Sequence, residues 1–512
     1  MTGATLMVVG SMSSVGKSLL TAALCRLLVR EGLSVAPFKA QNMSNNAAVC
    51  PGGGEIGRAQ ALQAAACGLQ PSVDFNPVLL KPEADSRSQV IVRGRPWRVL
   101  PARSYYEVRG ALWAEVTGSL DRLRAAYDVV VIEGAGSAAE LNLAAGDIVN
   151  MSVARYAGSP VLLVGDIDRG GIFAQLLGTL MLMPEADRAL VRGLIVNRFR
   201  GDQALFADGV RILEERSGLP VLGVVPFLRG LNLPEEDAAA LDDDRRAPTR
   251  PDAPSTTRVA VLALPRISNF DDVDALSAEP GVRVDFVRSA DELGEPDAIV
   301  LPGTKSTVAD LAWLRSTGLA DGVRSFAERG GAVVGLCGGY QMMGRTIADP
   351  DHVESGEDRV AGLGLLPTDT VFDSAKTTNS VEAEITGGPG WMAGLAGAPA
   401  GGYEIHMGAT RSETPWLRIG RRDGREVAVA DGAVSPDGRV WGCYVHGLFD
   451  NERLRRGWLA GLGWRAPAAE VHPSPSRPST GRSLDLLADA VGQELDMGLI
   501  RGLLAGAPAG AE

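Results

Sequence analysis

Residues 6–18 read LMVVGSMSSVGKS: a short apolar run, a loop bounded by Gly10 and Gly16, then Lys17 and Ser18 at the start of a helical pattern. Strand, glycine loop and helix start, in that order, point backbone N–H groups and a helix N-terminus at a phosphate. The lysine then reaches the β/γ-phosphates and the serine hydroxyl can ligate Mg²⁺. The usual motif has four residues between its glycines, whereas five separate Gly10 from Gly16. Leu19, Leu20, Ala23, Leu24, Leu27 and Leu28 follow at helical spacing, and Gly32 supplies a stop.

Working outward from this loop, apolar runs recur at residues 34–37, 129–132, 161–164, 194–196 and 221–225. They lack clean alternation, as strands buried on both faces should, and read as a parallel α/β sheet. Lys39 and Glu133 lie just past the carboxyl ends of two of these runs, the edge where open α/β sheets bind ligands. For Glu133 the plain alternative is a solvated loop carboxylate. Residues 241–257, LDDDRRAPTRPDAPSTT, have almost no apolar content and read as a linker. A second α/β pattern begins at Arg258, continues through residues 298–301 and 332–336, and ends near residues 440–445. This gives domains at 1–240 and 258–453, and a tail at 454–512 with a Pro/Ser-rich stretch and a leucine-rich docking helix.

In the second domain, AVVGLCGGYQ ends a strand at Cys337, followed by Gly338, Gly339 and a helix start. A tight turn of this kind projects a nucleophile, and the helix N-terminus lowers a thiol pKa. Another strand end delivers His446, the natural base for a Cys–His pair. The end of a third, at Gly303 in LPGTKST, offers backbone N–H groups to an oxyanion together with Gly338.

Composition restricts the partners. The 512 residues carry 50 Lys plus Arg against 62 Asp plus Glu, a net charge of −12 that disfavours a nucleic-acid partner. Five cysteines without CxxC spacing and four scattered histidines offer no metal-ligand cluster. Free thiols, no leader-like N-terminus and no long apolar run are the expectation for a cytoplasmic protein without a membrane segment. Self-association into a homo-oligomer stays open. Only Lys17, Lys39, Lys81, Lys305 and Lys376 are lysines, so each is a candidate for a role arginine cannot fill.

The spaced loop, FKAQNMS (38–44) and VVVIEGAGS (129–137) resemble the dethiobiotin-synthetase-like branch of P-loop enzymes. That resemblance implies ATP, with Lys39 and Glu133 serving the phosphates and Mg²⁺. CGGYQ resembles the class I glutamine amidotransferase motif, implying L-glutamine as nitrogen donor and Gln341 as a positioning residue. That family's usual third member is a glutamate two residues after the histidine, and Leu448 occupies the position. The cobyrinate-type amidotransferases share this departure and the same domain order. EIGRAQALQA, NPVLLKP, GDIDRGGIFA, NRFRGD and GYEIHMG are similar to blocks of the cobyric acid synthases within that family. The resemblance implies amidation of the b, d, e and g carboxylates of a corrinoid, adenosylcobyrinic acid a,c-diamide, through an acyl phosphate. It makes Asn197 an adenine contact and His406 a substrate or glutamine contact, with a satisfied structural histidine as the plain alternative, while Glu55 reads as either a second Mg²⁺ ligand or a helix-start acid. Asp166 and Asp168 stand near the metal or the activated carboxylate, or Asp168 simply pairs with Arg169. Two alternatives remain: an amidoligase for cobyrinic acid or a peptidoglycan precursor, and a ParA/MinD-like ATP switch.

Overall fold

The computed structural model describes residues 2–84, 87–105, 107–142, 146–228, 231, 233, 256–466 and 480–506. Most of the 241–257 linker and the Pro/Ser-rich part of the tail lie outside them.

The first domain is built on six parallel strands ordered Val221–Pro226, Val191–Phe199, Val161–Asp166, Ala4–Gly10, Val129–Glu133 and Val35–Phe38. Central strands are buried along their whole length, which explains the absence of polar alternation in their sequences. Register aligns the working residues. Val8 pairs with Glu133, Gly10 with Val164 and Asp166 with Asn197, so the phosphate loop and three polar side chains share one carboxyl edge. The loop leads into the helix Lys17–Arg30, whose buried face carries Leu20, Leu24 and Leu28.

The second domain repeats the plan. Val282–Val287, Thr257–Leu262, Ala298–Leu301, Ala332–Leu336 and Val440–Cys443 run parallel, with Ala433–Val434 antiparallel at the edge. Leu301 pairs with Gly335 and Leu336 with Cys443, which brings Gly303, Cys337 and His446 to one end.

Two antiparallel additions were not visible in the sequence pattern. In the first domain, Val78–Ala84, Arg87–Val92 and Arg95–Pro101 form a meander beside Gln41–Met43. In the second, Thr368–Ile385 pairs with Gly402–Ser412 and with Leu417–Arg422. Both additions face the domain boundary. The predicted docking helix is two helices: Thr480–Glu494 packs on the phosphate-loop helix through Leu484, Leu487 and Val491, and Met497–Ala505 lies against the strand Ala4–Gly10.

Candidate active site

At the phosphate loop, Gly16 takes φ +95°, and a Cβ there would lie 2.2 Å from Asn197 Nδ2, a close approach only glycine permits. Lys17 Nζ curls over the loop onto the carbonyls of Met12 and Gly136, at 3.1 and 3.0 Å. Buried Glu133 accepts hydrogen bonds from Ser18 Oγ and Lys39 Nζ, both at 2.9 Å, on Oε1, and from Gln63 Nε2 at 2.5 Å on Oε2. A carboxylate beside the loop serine, backed by a lysine, is the donor set that Mg²⁺ and phosphates require. The residues therefore fit MgATP, and the solvated-loop alternative for Glu133 is excluded by its complete burial. Asn197 Nδ2 donates to Val15 O at 2.7 Å and so holds the loop itself.

Asp166 and Asp168 do reach this edge, but each is tied to arginine. Arg198 meets Asp166 at 2.9 Å and Arg169 approaches it at 3.5 Å, while Arg200 holds Asp168 at 2.5 Å. The Asp168–Arg169 pairing weighed from sequence is thus replaced by Asp168–Arg200. Glu55 needs a larger correction. Its carboxylate is wholly buried between Lys81 Nζ, at 2.5 Å, and Lys376 Nζ, so neither a metal-ligand nor a helix-start role fits. Those lysines hold it at about pKa 2 against the burial that would raise it. Burial pulls Lys376 down to about 7, with Glu55 opposing.

The second centre has the geometry of a nucleophile elbow. Cys337 adopts φ 51°, ψ −109° immediately before the helix Gly338–Met343. This is strained backbone for a residue with a side chain, at the position the chemistry demands. A Cβ on Gly339 would stand 2.0 Å from Leu301 O, so the turn closes only with glycine there. A Cβ on Gly303 would stand 3.0 Å from His446 Cε1 and one on Gly338 2.7 Å from Thr304 Cγ2, so Gly303 lies beside the histidine and Gly338 against the residue that follows Gly303. Gln341 is fully engaged: it accepts from Thr307 Oγ1 at 2.9 Å and donates to Met407 O at 2.9 Å and Tyr444 Oη at 3.1 Å. It forms part of the wall of the pocket that holds Cys337. His406 lines the same pocket as Cys337, stacked on Tyr444 at 3.8 Å between centroids.

The missing third member is Asp272. From the turn Phe270–Val273 after the first strand of this domain, its Oδ2 meets His446 Nδ1 at 2.7 Å and its Oδ1 accepts Gly447 N at 2.7 Å. Burial alone would lower the imidazole pKa, but Asp272 and then Cys337 raise it to about 10. The raised pKa favours the protonated imidazole, a proton donor placed beside Cys337. Adjacent acids at a strand end in RISNFDDVD were the available signal, and a loop pair of aspartates ordinarily reads as solvated.

The two centres meet across a packed boundary. Asn269 N donates to Asn46 Oδ1 at 2.7 Å and Ala47 N to Asn269 Oδ1 at 3.1 Å. Lys305 Nζ reaches Glu83 at 2.8 Å, and Arg58 pairs with Asp271. The pocket holding Cys337 is walled partly by Asn45, Lys81 and Glu83 of the other domain. Lys81, Lys305 and Lys376 thus all stand at the boundary, while Lys17 and Lys39 lie at the phosphate-loop edge.

Comparison with known proteins agrees with this division. Residues 6–239 match a family described as CobQ/CobB/MinD/ParA nucleotide binding domain, and residues 258–454 one described as CobB/CobQ-like glutamine amidotransferase domain. A cobyric acid synthase of Roseiflexus castenholzii is 54% identical over 93% of this chain and 94% of its own length. One from Chloroflexus aurantiacus is 55% identical over 91% and 93%. One from Sorangium cellulosum is 51% identical over 98% of both.

Proposed function

Because this chain belongs to the cobyric acid synthase family, a group of glutamine-hydrolysing carbon–nitrogen ligases, we propose that it amidates the b, d, e and g carboxylates of adenosylcobyrinic acid a,c-diamide to give cobyric acid. The observation that carries the nitrogen half is the Cys337–His446–Asp272 arrangement. Cys337 attacks the side-chain carbonyl of glutamine, and backbone donors at Gly303 and Gly338 receive the oxyanion. Asp272 holds His446 in one tautomer and orientation, so that the imidazolium gives its proton to the departing ammonia. Water then releases glutamate from the thioester, with His446 as the base.

In the first domain, Lys17, Ser18, Lys39 and Glu133 hold MgATP. Transfer of its γ-phosphoryl group would leave ADP and make the corrinoid carboxylate an acyl phosphate, from whose acyl carbon ammonia displaces phosphate to give the amide. Lys17, which now bonds the Met12 and Gly136 carbonyls, would hold the phosphates, and Glu133 with Ser18, backed by Lys39 and Gln63, would hold the metal, which would supply charge neutralisation for the transferred phosphoryl group. The boundary keeps water from the acyl phosphate and protons from ammonia.

Two variants test this division of labour. Cys337→Ala should lose glutamine-dependent amidation and keep amidation driven by added ammonium. Lys17→Ala should lose both. Ammonium-driven turnover surviving in Lys17→Ala would remove the phosphate-loop half, and loss of both activities in a folded Cys337→Ala would remove the glutaminase half.

A further inference from the structure

The boundary between the domains carries more than packing. Arg58 opens the helix Arg58–Ala66 of the ATP-binding domain, and its backbone N donates to Asn46 O at 3.2 Å. Its side chain leaves that domain altogether. The guanidinium pairs with Asp271 and stands 5.7 Å from the centroid of the Tyr403 ring.

Each contact leads to His446 by one further step. Asp271 is the neighbour of Asp272 in the same short turn, and Asp272 holds both His446 Nδ1 and Gly447 N. The Tyr403 ring stacks on the imidazole at 5.2 Å between centroids and 18° between planes. The backbones of Tyr403 and His446 also exchange hydrogen bonds, at 2.8 and 3.2 Å. The Asn46–Asn269 exchange anchors the beginning of the same turn from the same domain. A guanidinium suits this place, because a planar fork can pair with a carboxylate and face an aromatic ring where an ammonium cannot do both as well. Without it, Asp271, only 4% exposed at its side chain, would be a buried carboxylate next to a second one.

We propose that Arg58 is a positioning residue of the glutaminase centre, contributed by the ATP-binding domain, which holds the Asp271–Asp272 turn and the Tyr403 ring so that His446 faces Cys337. The opposite end of its helix reaches the phosphate edge: Gln63 Nε2 bonds Glu133 Oε2 at 2.5 Å and Ser18 O at 3.3 Å. The helix is a short rigid body of about two and a half turns. A displacement at Glu133 therefore bears on Arg58 without any intervening loop. This inference rests on the reading of Cys337, His446 and Asp272 as the glutaminase.

The test uses the full-length enzyme with MgATP and the corrinoid, comparing glutamine with ammonium as nitrogen source. Arg58→Ala should lower kcat with glutamine by about tenfold or more, the size expected for groups in direct contact, while KM for glutamine and the ammonium-driven rate change by less than about threefold. Arg58→Lys should recover part of the loss. In the Arg58→Ala/Asp271→Asn double variant the loss should be no larger than in Arg58→Ala alone. Unchanged glutamine-driven turnover in Arg58→Ala overturns the proposal, and so does a parallel fall of the ammonium-driven rate. Should Arg58→Ala fail to fold, Asp271→Asn decides: a selective fall in glutamine-driven kcat supports the proposal and no change overturns it. Cys337→Ala, run alongside, separates the two levels, since glutamine use surviving in that variant defeats the glutaminase reading itself.

Discussion

Asp272 is 174 residues from His446 in the chain and 2.7 Å from it in space. Asp272→Asn should lower glutamine-driven amidation by about 10⁴-fold, the size of loss when an orienting carboxylate is neutralised, with the ammonium-driven rate intact. The pH dependence has a definite sign. His446 moves from an ordinary 6.5 to about 10, so its coupling to Asp272 stabilises the fold fully below about pH 6.5 and fades as pH rises through about 10. The Tm advantage of the wild type over Asp272→Asn should therefore shrink between pH 7 and 10, and an advantage that grows over that range contradicts the assignment. Cys337 and His446 were legible because each sits at a strand end with its own local turn chemistry. Asp272 was not, because only tertiary folding distinguishes it from the adjacent Asp271.

At the scale of elements, the parallel strands were readable for a physical reason. Strands such as Val129–Glu133 are buried on both faces and must be continuously apolar. The strand Thr368–Ile385 escaped notice because its middle, including Lys376, is polar and turned toward the other domain or solvent. The same region hid the correction at Glu55, whose lysine partners come from two antiparallel strands the sequence pattern did not reveal. The phosphate loop offers a direct test of element geometry. Gly16→Ala places a side chain at φ +95° and against Asn197, at a cost of about 1–2 kcal/mol for the left-handed backbone alone. Calorimetric titration should show loss of ATP binding, while normal ATP affinity would mean that the loop is not shaped as described.

For the whole molecule, the two carboxyl edges and the boundary between them matter more than either domain alone. The tail is part of this assembly, since its helix Thr480–Glu494 packs on the phosphate-loop helix. Leu487, fully packed there, should cost about 2–5 kcal/mol on truncation to alanine. Asp485, which pairs with Arg26 and Arg30 but has a side chain 40% exposed, should cost at most about 1 kcal/mol. Denaturant unfolding separates the two, and the reverse ranking would mean that the tail is held by charge. Domain order and the two family motifs were legible locally, whereas the docking was not, because Asn46, Arg58, Lys81 and Lys376 acquire meaning only when their partners arrive from the other domain. The central claim is tested most directly by mass spectrometry of the corrinoid after incubation with MgATP and glutamine labelled with ¹⁵N at its amide. Four successive OH-to-NH₂ exchanges carrying ¹⁵N are the expected result, with none in Cys337→Ala, where added unlabelled ammonium restores the exchanges without the label. A corrinoid unchanged in mass while ATP and glutamine are consumed would contradict it.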